Sequence, residues 1–259
     1  MRLIITLLFG FIMISCDEHE NTPCTYKPLD DYSYNFHPED QYNFPVRPGM
    51  SEWAQFTTGQ QMIDACQVPD NVLNEMSTNG LIETCLDYPL LNHMLAFTSV
   101  QFGTERQMEN FNGFGKLIQK CDAAALMLSR YKLMDATAIP DGDDVTIGRF
   151  AIIFIHFGMV LSQPVFIEQL TALEKKQLVN EALIKYEVMV LNVDVYGIFT
   201  YKVQALMMAR AMQSEGYKPF LNEIAKNEYM SVFVSDAELQ GNVETLNLII
   251  DYAKQFTNN

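Results

Sequence analysis

The chain reads as all-α: an irregular array of short and medium antiparallel helices in one domain, preceded by a signal peptide and an extended tether. Three observations predict this class. Apolar residues recur at helical spacing beyond residue 50, as in Val243, Leu246, Ile249, Ile250, Ala253 and Phe256. Capping residues stand where such runs begin, most clearly in Thr171-Ala172-Leu173-Glu174, where each side chain satisfies a free backbone amide. No apolar/polar alternation is long enough to build a sheet, and Val232-Phe233-Val234 is the one candidate for a short β segment.

Residues 1–15 carry the features of a signal peptide. Met1-Arg2 supplies one positive charge, and residues 3–14 are an apolar run too short to span a bilayer as a helix. Ser15-Cys16 follows at once. A small residue before a cysteine at the end of such a run resembles the lipobox of bacterial lipoproteins. That resemblance implies acylation at Cys16, cleavage before it, and an outer-membrane, lipid-anchored location. Two or three acyl chains hold a protein firmly where one binds marginally. Asp17-Glu18-His19-Glu20 resembles the surface-export signal of Bacteroidota lipoproteins; a plain acidic tether is the other reading, and both stay open.

Residues 16–50 form the expected tether. Pro23, Pro28, Pro38, Pro45 and Pro48 interrupt any periodicity. Pure linkers are poor in aromatics, whereas this one holds several, so its later part, from about Tyr32, is expected to lie along the domain. Tyr32, Tyr34 and Tyr42, with Trp53 just beyond, are the candidate partner contacts, although Trp53 is first expected to pin the entry segment to the early helices.

The helical domain is expected over 51–259. Thr58 stands as the cap of a first helix, Pro69 at the first position of a second, and Ser77 as the cap of a third. Tyr88-Pro89 closes that helix and opens another to about Phe97. Longer helices are expected over 105–119 and from Asp122 to about Met134. The loop 135–144 includes Asp141-Gly142-Asp143, which lacks the spacing of a calcium loop and reads as a capping-rich turn. Residues 150–161 are apolar on every side except for His156, and this run is expected to be the central buried helix. The helix after Thr171 should reach about Val190, and further helices are expected over 201–214, 219–233 and 236–256.

With 32 acidic and 17 basic residues, the chain lacks the concentrated Lys and Arg that phosphate backbones require, so nucleic acid is not an expected partner. Membrane attachment would come from the lipid alone, with a protein or glycan as the further candidate partner. Four cysteines follow Cys16. Cys66, Cys85 and Cys121 are expected as buried free thiols, with the pairing of Cys24, Cys66, Cys85 and Cys121 left open. No cofactor, zinc or catalytic motif assembles from spacing, so no catalytic and no metal residue is assigned. His156 is expected as a satisfied core histidine. Two carboxylates brought together from distant helices would serve glycoside hydrolysis, and spacing cannot select such a pair.

Pro48-Gly49-Met50-Ser51-Glu52-Trp53 is followed by residues 61–69, Met76-Ser77-Thr78, residues 83–90, Phe111-Asn112-Gly113-Phe114 and residues 126–131. Together these resemble an uncharacterised family of exported Bacteroidota lipoproteins that opens with a Pro-Gly-x-x-Glu-Trp segment. The resemblance covers 48–134 well and the remainder loosely. It implies origin, export and an all-helical fold, and carries no catalytic residue. Gly80 departs from the pattern, standing where a polar helix former is expected and weakening the cap at Ser77. The leading expectation is a noncatalytic cell-envelope binding or scaffold lipoprotein; the alternative is a secreted hydrolase acting on glycan or peptide.

Overall fold

The protein's structure, a computed structural model, describes residues 37–258. The signal segment, Cys16, the acidic cluster, Cys24, Tyr32 and Tyr34 lie outside the described residues. Among the described residues the architecture is all-α, one domain of helices with no strand.

The approach segment enters the core before the first helix. Phe44 is fully buried against Tyr88 and Phe111. A 3-10 turn, Trp53–Gln55, leads into α1 (Gly59–Ala65), which opens with a capping box between Thr58 and Gln61. Helices α2 (Asp70–Glu75) and α3 (Thr78–Leu86) follow. At α3, Ser77 Oγ accepts from Gly80 N at 3.0 Å. Asp40 adds a second cap: its carboxylate accepts from Ser77 N at 2.5 Å and from Ser77 Oγ at 3.1 Å. A Cβ on Gly80 would stand 2.4 Å from Asp40 Oδ1. Glycine at this position is therefore what lets a carboxylate 37 residues upstream reach the helix start.

Residues 91–96 form a 3-10 helix in place of the expected α-helix. The helix expected over 105–119 is two: α4 (Val100–Asn110) and α5 (Asn112–Ile118), broken at Phe111, whose extended backbone buries its ring against Phe44, Tyr88 and Phe114. Helix α6 (Ala123–Leu133) follows, with Asp122 at its N-cap. Asp122 makes no side-chain cap; its carboxylate accepts from Thr78 Oγ1 at 2.8 Å, tying α6 to α3.

Helix α7 (Asp144–Leu161) starts earlier than expected because Asp143 caps it, accepting from Thr146 N at 2.9 Å. Its 18 residues have a mean hydropathy of 1.6, long and apolar enough to cross a membrane by that measure, yet more than half of it is buried within the domain. A short α8 (Pro164–Ile167) precedes α9 (Ala172–Leu191), which opens with the Thr171–Glu174 capping box. Helix α10 (Val193–Ser214) begins eight residues before the expected 201 and kinks at Gly197, where φ is +63°. The helix expected over 219–233 is two, α11 (Lys218–Ile224) and α12 (Glu228–Asp236). The β candidate Val232-Phe233-Val234 lies inside α12. The chain closes on α13 (Glu244–Asn258).

The run 150–161 is a buried helix as expected, all but Ile152 and Ile153, but α10 is the more central one. Residues 202–212 of α10 are all buried, and the helix packs against α7, α8, α9, α11, α12 and α13. Helix α7 keeps a half-exposed stripe at Ile152 and Ile153. The α7–α10 crossing is tight: a Cβ on Gly158 would lie 2.4 Å from Val203 Cγ1. Composition does not mark α10 as the more central helix because α10 hides its polar residues in hydrogen bonds, Tyr131 Oη to Gln204 Oε1 and Gln204 Nε2 to Thr200 O among them.

Cys66 and Cys85 are buried free thiols, as expected. Burial pushes the Cys66 thiol up to about 11, so it stays protonated and unreactive. Cys121 departs from expectation: it sits in an exposed turn before α6 and is disulfide-bonded. It stands between Lys120 and Asp122, in a turn outside the core.

Candidate functional site

Helical spacing places four side chains of α7 on one face. Arg149, Ile152, Ile153 and His156 stand at i, i+3, i+4 and i+7. Glu83 and Leu86, with Asp87 just past the end of α3, form a facing row at i, i+3 and i+4. Arg130 of α6 closes the floor, and His37 and Gln41 of the approach segment form one wall. Together they line a pocket of about 280 Å³.

Most of its charges are neutralised in place. Arg130 meets Glu83 through two parallel hydrogen bonds, Nε to Oε1 and Nη2 to Oε2, the latter 2.8 Å, with both side chains almost fully buried. The guanidinium also lies 4.9 Å from the centroid of the Phe157 ring. Burial raises the Glu83 carboxyl above its ordinary value, and the charge and hydrogen bonds of Arg130 oppose that rise. Arg47 forms a second bidentate pair with Asp87, half open to solvent, with Nη1 to Oδ1 at 2.9 Å. The hydrogen bond to Asp87 raises the Arg47 guanidinium further. His37 Nδ1 lies 2.8 Å from Gln41 Oε1.

His156 differs. Its side chain is 8% exposed, and Nε2 is buried with no hydrogen-bond partner. Burial pushes its pKa down to about 4, so the ring is neutral near pH 7. The expected satisfied core histidine is therefore buried but not satisfied. Tyr88 Oη and Thr245 Oγ1 are the other such atoms among the described residues, and neither residue lines this pocket. A neutral imidazole nitrogen beside a cavity can donate to or accept from a ligand, depending on tautomer.

The candidate contacts named from sequence do not converge here. Tyr42 is half-buried: its amide donates to Thr84 Oγ1 at 2.9 Å and its ring meets Phe44 edge-on at 5.1 Å. Trp53 is half-buried against Phe56, with ring centroids 5.6 Å apart. Both pack against the core. Sequence reasoning singled out His156 but missed Glu83, Arg130, Arg149 and the Arg47–Asp87 pair. The legible signal was the i, i+3, i+4, i+7 stripe of Arg149 to His156. The partners across it are 47 and 40 residues apart and carry no local signature.

Compared with known proteins, the chain matches no family model, no curated protein and no solved structure.

Proposed function

We propose that this chain is a noncatalytic binding lipoprotein of the cell envelope, acylated at Cys16 and held at the outer membrane, and that the pocket between α3, α6 and α7 is where it binds. The observation that carries the reading is the state of the pocket's polar groups. Glu83, Asp87, Arg47 and Arg130 are locked in bidentate pairs, while the buried Nε2 of His156 stands without a partner. Groups locked in pairs shape and polarise a cavity, and a buried polar atom without a partner favours a ligand that supplies one. The disulfide at Cys121 supports an oxidising compartment, and the lipobox-like Ser15-Cys16 supports the anchor.

The test is a thermal-shift panel on the full-length lipoprotein with simple sugars, short peptides and small organic acids, run beside product analysis. One class should stabilise the protein and lose its effect in His156→Ala. A ligand at about 100 times its Kd adds roughly 2.7 kcal/mol, which moves the melting point of a domain this size by roughly 5–10 °C. A panel without any shift would remove the pocket as the binding site.

The second reading, a secreted hydrolase acting on glycan or peptide, has one observation in its favour: two carboxylates, Glu83 and Asp87, share the pocket with a neutral histidine. Product formation by the wild type that disappears in Glu83→Gln or His156→Ala would establish it and overturn the noncatalytic reading.

A further inference from the structure

We propose that this pocket takes a small amphipathic monocarboxylate, with Arg149 as the charge partner, His156 Nε2 as a second polar contact, and Leu86, Ile152 and Ile153 against the apolar body. The inference rests on the binding reading above and names the ligand class for that site.

Charge comes first. Arg130 and Arg47 are each matched by a carboxylate, Glu83 and Asp87. Arg149 lines the same cavity with no carboxylate within ion-pair distance among the described residues. Asp143 is close enough to feel its charge, but that carboxylate is taken up by Thr146, from the amide at 2.9 Å and the hydroxyl at 2.7 Å. Arg149 is therefore the one arginine of the lining without a carboxylate in ion-pair contact, and a single carboxylate on a ligand can pair with it. An arginine fork suits that group through two parallel hydrogen bonds.

Polarity and shape narrow the ligand further. His156 lines the cavity and its unpartnered Nε2 is sealed from solvent, so a second polar atom on the ligand, or the second carboxylate oxygen, bonds to it once the ring turns toward the cavity. Ile152 and Ile153 separate Arg149 from His156 on the α7 stripe, and Leu86 faces them from α3. An apolar body between two polar ends fits that order. A volume of about 280 Å³ is the size of a small molecule. The net charge of −15 repels polyanions such as nucleic acid and anionic lipid surfaces, but costs a monoanion little at physiological salt.

Isothermal titration calorimetry of the full-length lipoprotein with benzoate and its neutral isostere benzamide tests this. Benzoate should bind at least tenfold more tightly than benzamide. Arg149→Gln should bring benzoate down to the benzamide level; Arg149 is exposed, so the fold is not at stake. His156→Phe should weaken benzoate while leaving the circular dichroism spectrum unchanged. No binding of benzoate to the wild type, or benzoate binding that Arg149→Gln leaves unchanged, overturns the proposal. If benzamide or a neutral sugar then binds and His156→Phe loses it, the binding reading survives without the carboxylate. Turnover of a glycan or peptide ends both.

Discussion

Two buried arginines show how the same residue can build a site or close a seam. Arg130 sits under the pocket with its charge met by Glu83 and its face on Phe157. Arg210, on α10, has no carboxylate within ion-pair distance among the described residues. It donates instead to main-chain carbonyls: Nε to Val234 O at 2.9 Å, Nη2 to Ser235 O at 2.8 Å and Nη1 to Ser162 O at 3.3 Å. These carbonyls lie at the end of α12 and just past α7, where backbone acceptors have no helical donor. Burial lowers the Arg210 guanidinium to about 10, still well above neutral pH. The cavity beside Arg210 is larger, about 430 Å³, and is bordered by Gln101, which is hydrogen-bonded to Gln163 at 2.9 Å. Size therefore does not separate the two places. What separates them is that the polar groups around Arg210 satisfy one another, whereas the pocket over Arg130 leaves a histidine nitrogen unmet and Arg149 unpaired.

The comparison makes its strongest demand on Arg210. Arg210→Ala strands three carbonyls and removes packing between α10 and α12, and should cost about 3–5 kcal/mol in urea unfolding. A cost under about 1 kcal/mol would show that the seam does not depend on it. Glu83→Gln leaves Arg130 charged in a buried place and should cost about 3 kcal/mol. If Glu83→Gln were neutral, the floor of the pocket would have to be open to water.

The pH dependence sharpens the contrast at His156. Its folded pKa of about 4 lies below the ordinary 6.5. The unfolded chain therefore takes up a proton over that interval while the folded chain does not. The stabilising contribution is complete above about pH 6.5 and is lost as pH falls toward 4. The loss amounts to at most about 3 kcal/mol. His156→Phe should flatten that limb of the stability curve, and an unchanged slope would place the titrating group elsewhere. The smallest expected effect is at the rim: Arg149→Gln should move stability by no more than about 0.5 kcal/mol, since it removes an exposed side chain without an ion pair. A larger loss would make Arg149 part of the fold.

Where sequence and structure agree, the signal was short-range. The Thr171 box, the Thr58 and Ser77 caps and the punctuation at Pro89 each concern groups within a turn of one another, and each stands where expected. Where they differ, a distant partner decided. Phe111 splits one expected helix because its ring is wanted in the core beside Phe44 and Tyr88. Cys121 is disulfide-bonded rather than free, a matter of which segments meet in space. The pocket shows both sides: the α7 stripe was there to be read, while Glu83, Arg130 and Asp87 become neighbours only when α3 and α6 pack beside α7.

The sequence by itself determined the helical class, the positions of most helix starts and the burial of His156, because spacing, caps and hydrophobicity act over a few residues and survive without tertiary context. Only the tertiary structure decided that α10 is the central helix, that Asp40 caps α3 past Gly80, and that His156 shares a cavity with two arginines and two carboxylates. The physical reason is that an ion pair or a crossing between helices depends on separation in space, and residues 37, 47 or 62 apart in the chain carry no local mark of being neighbours.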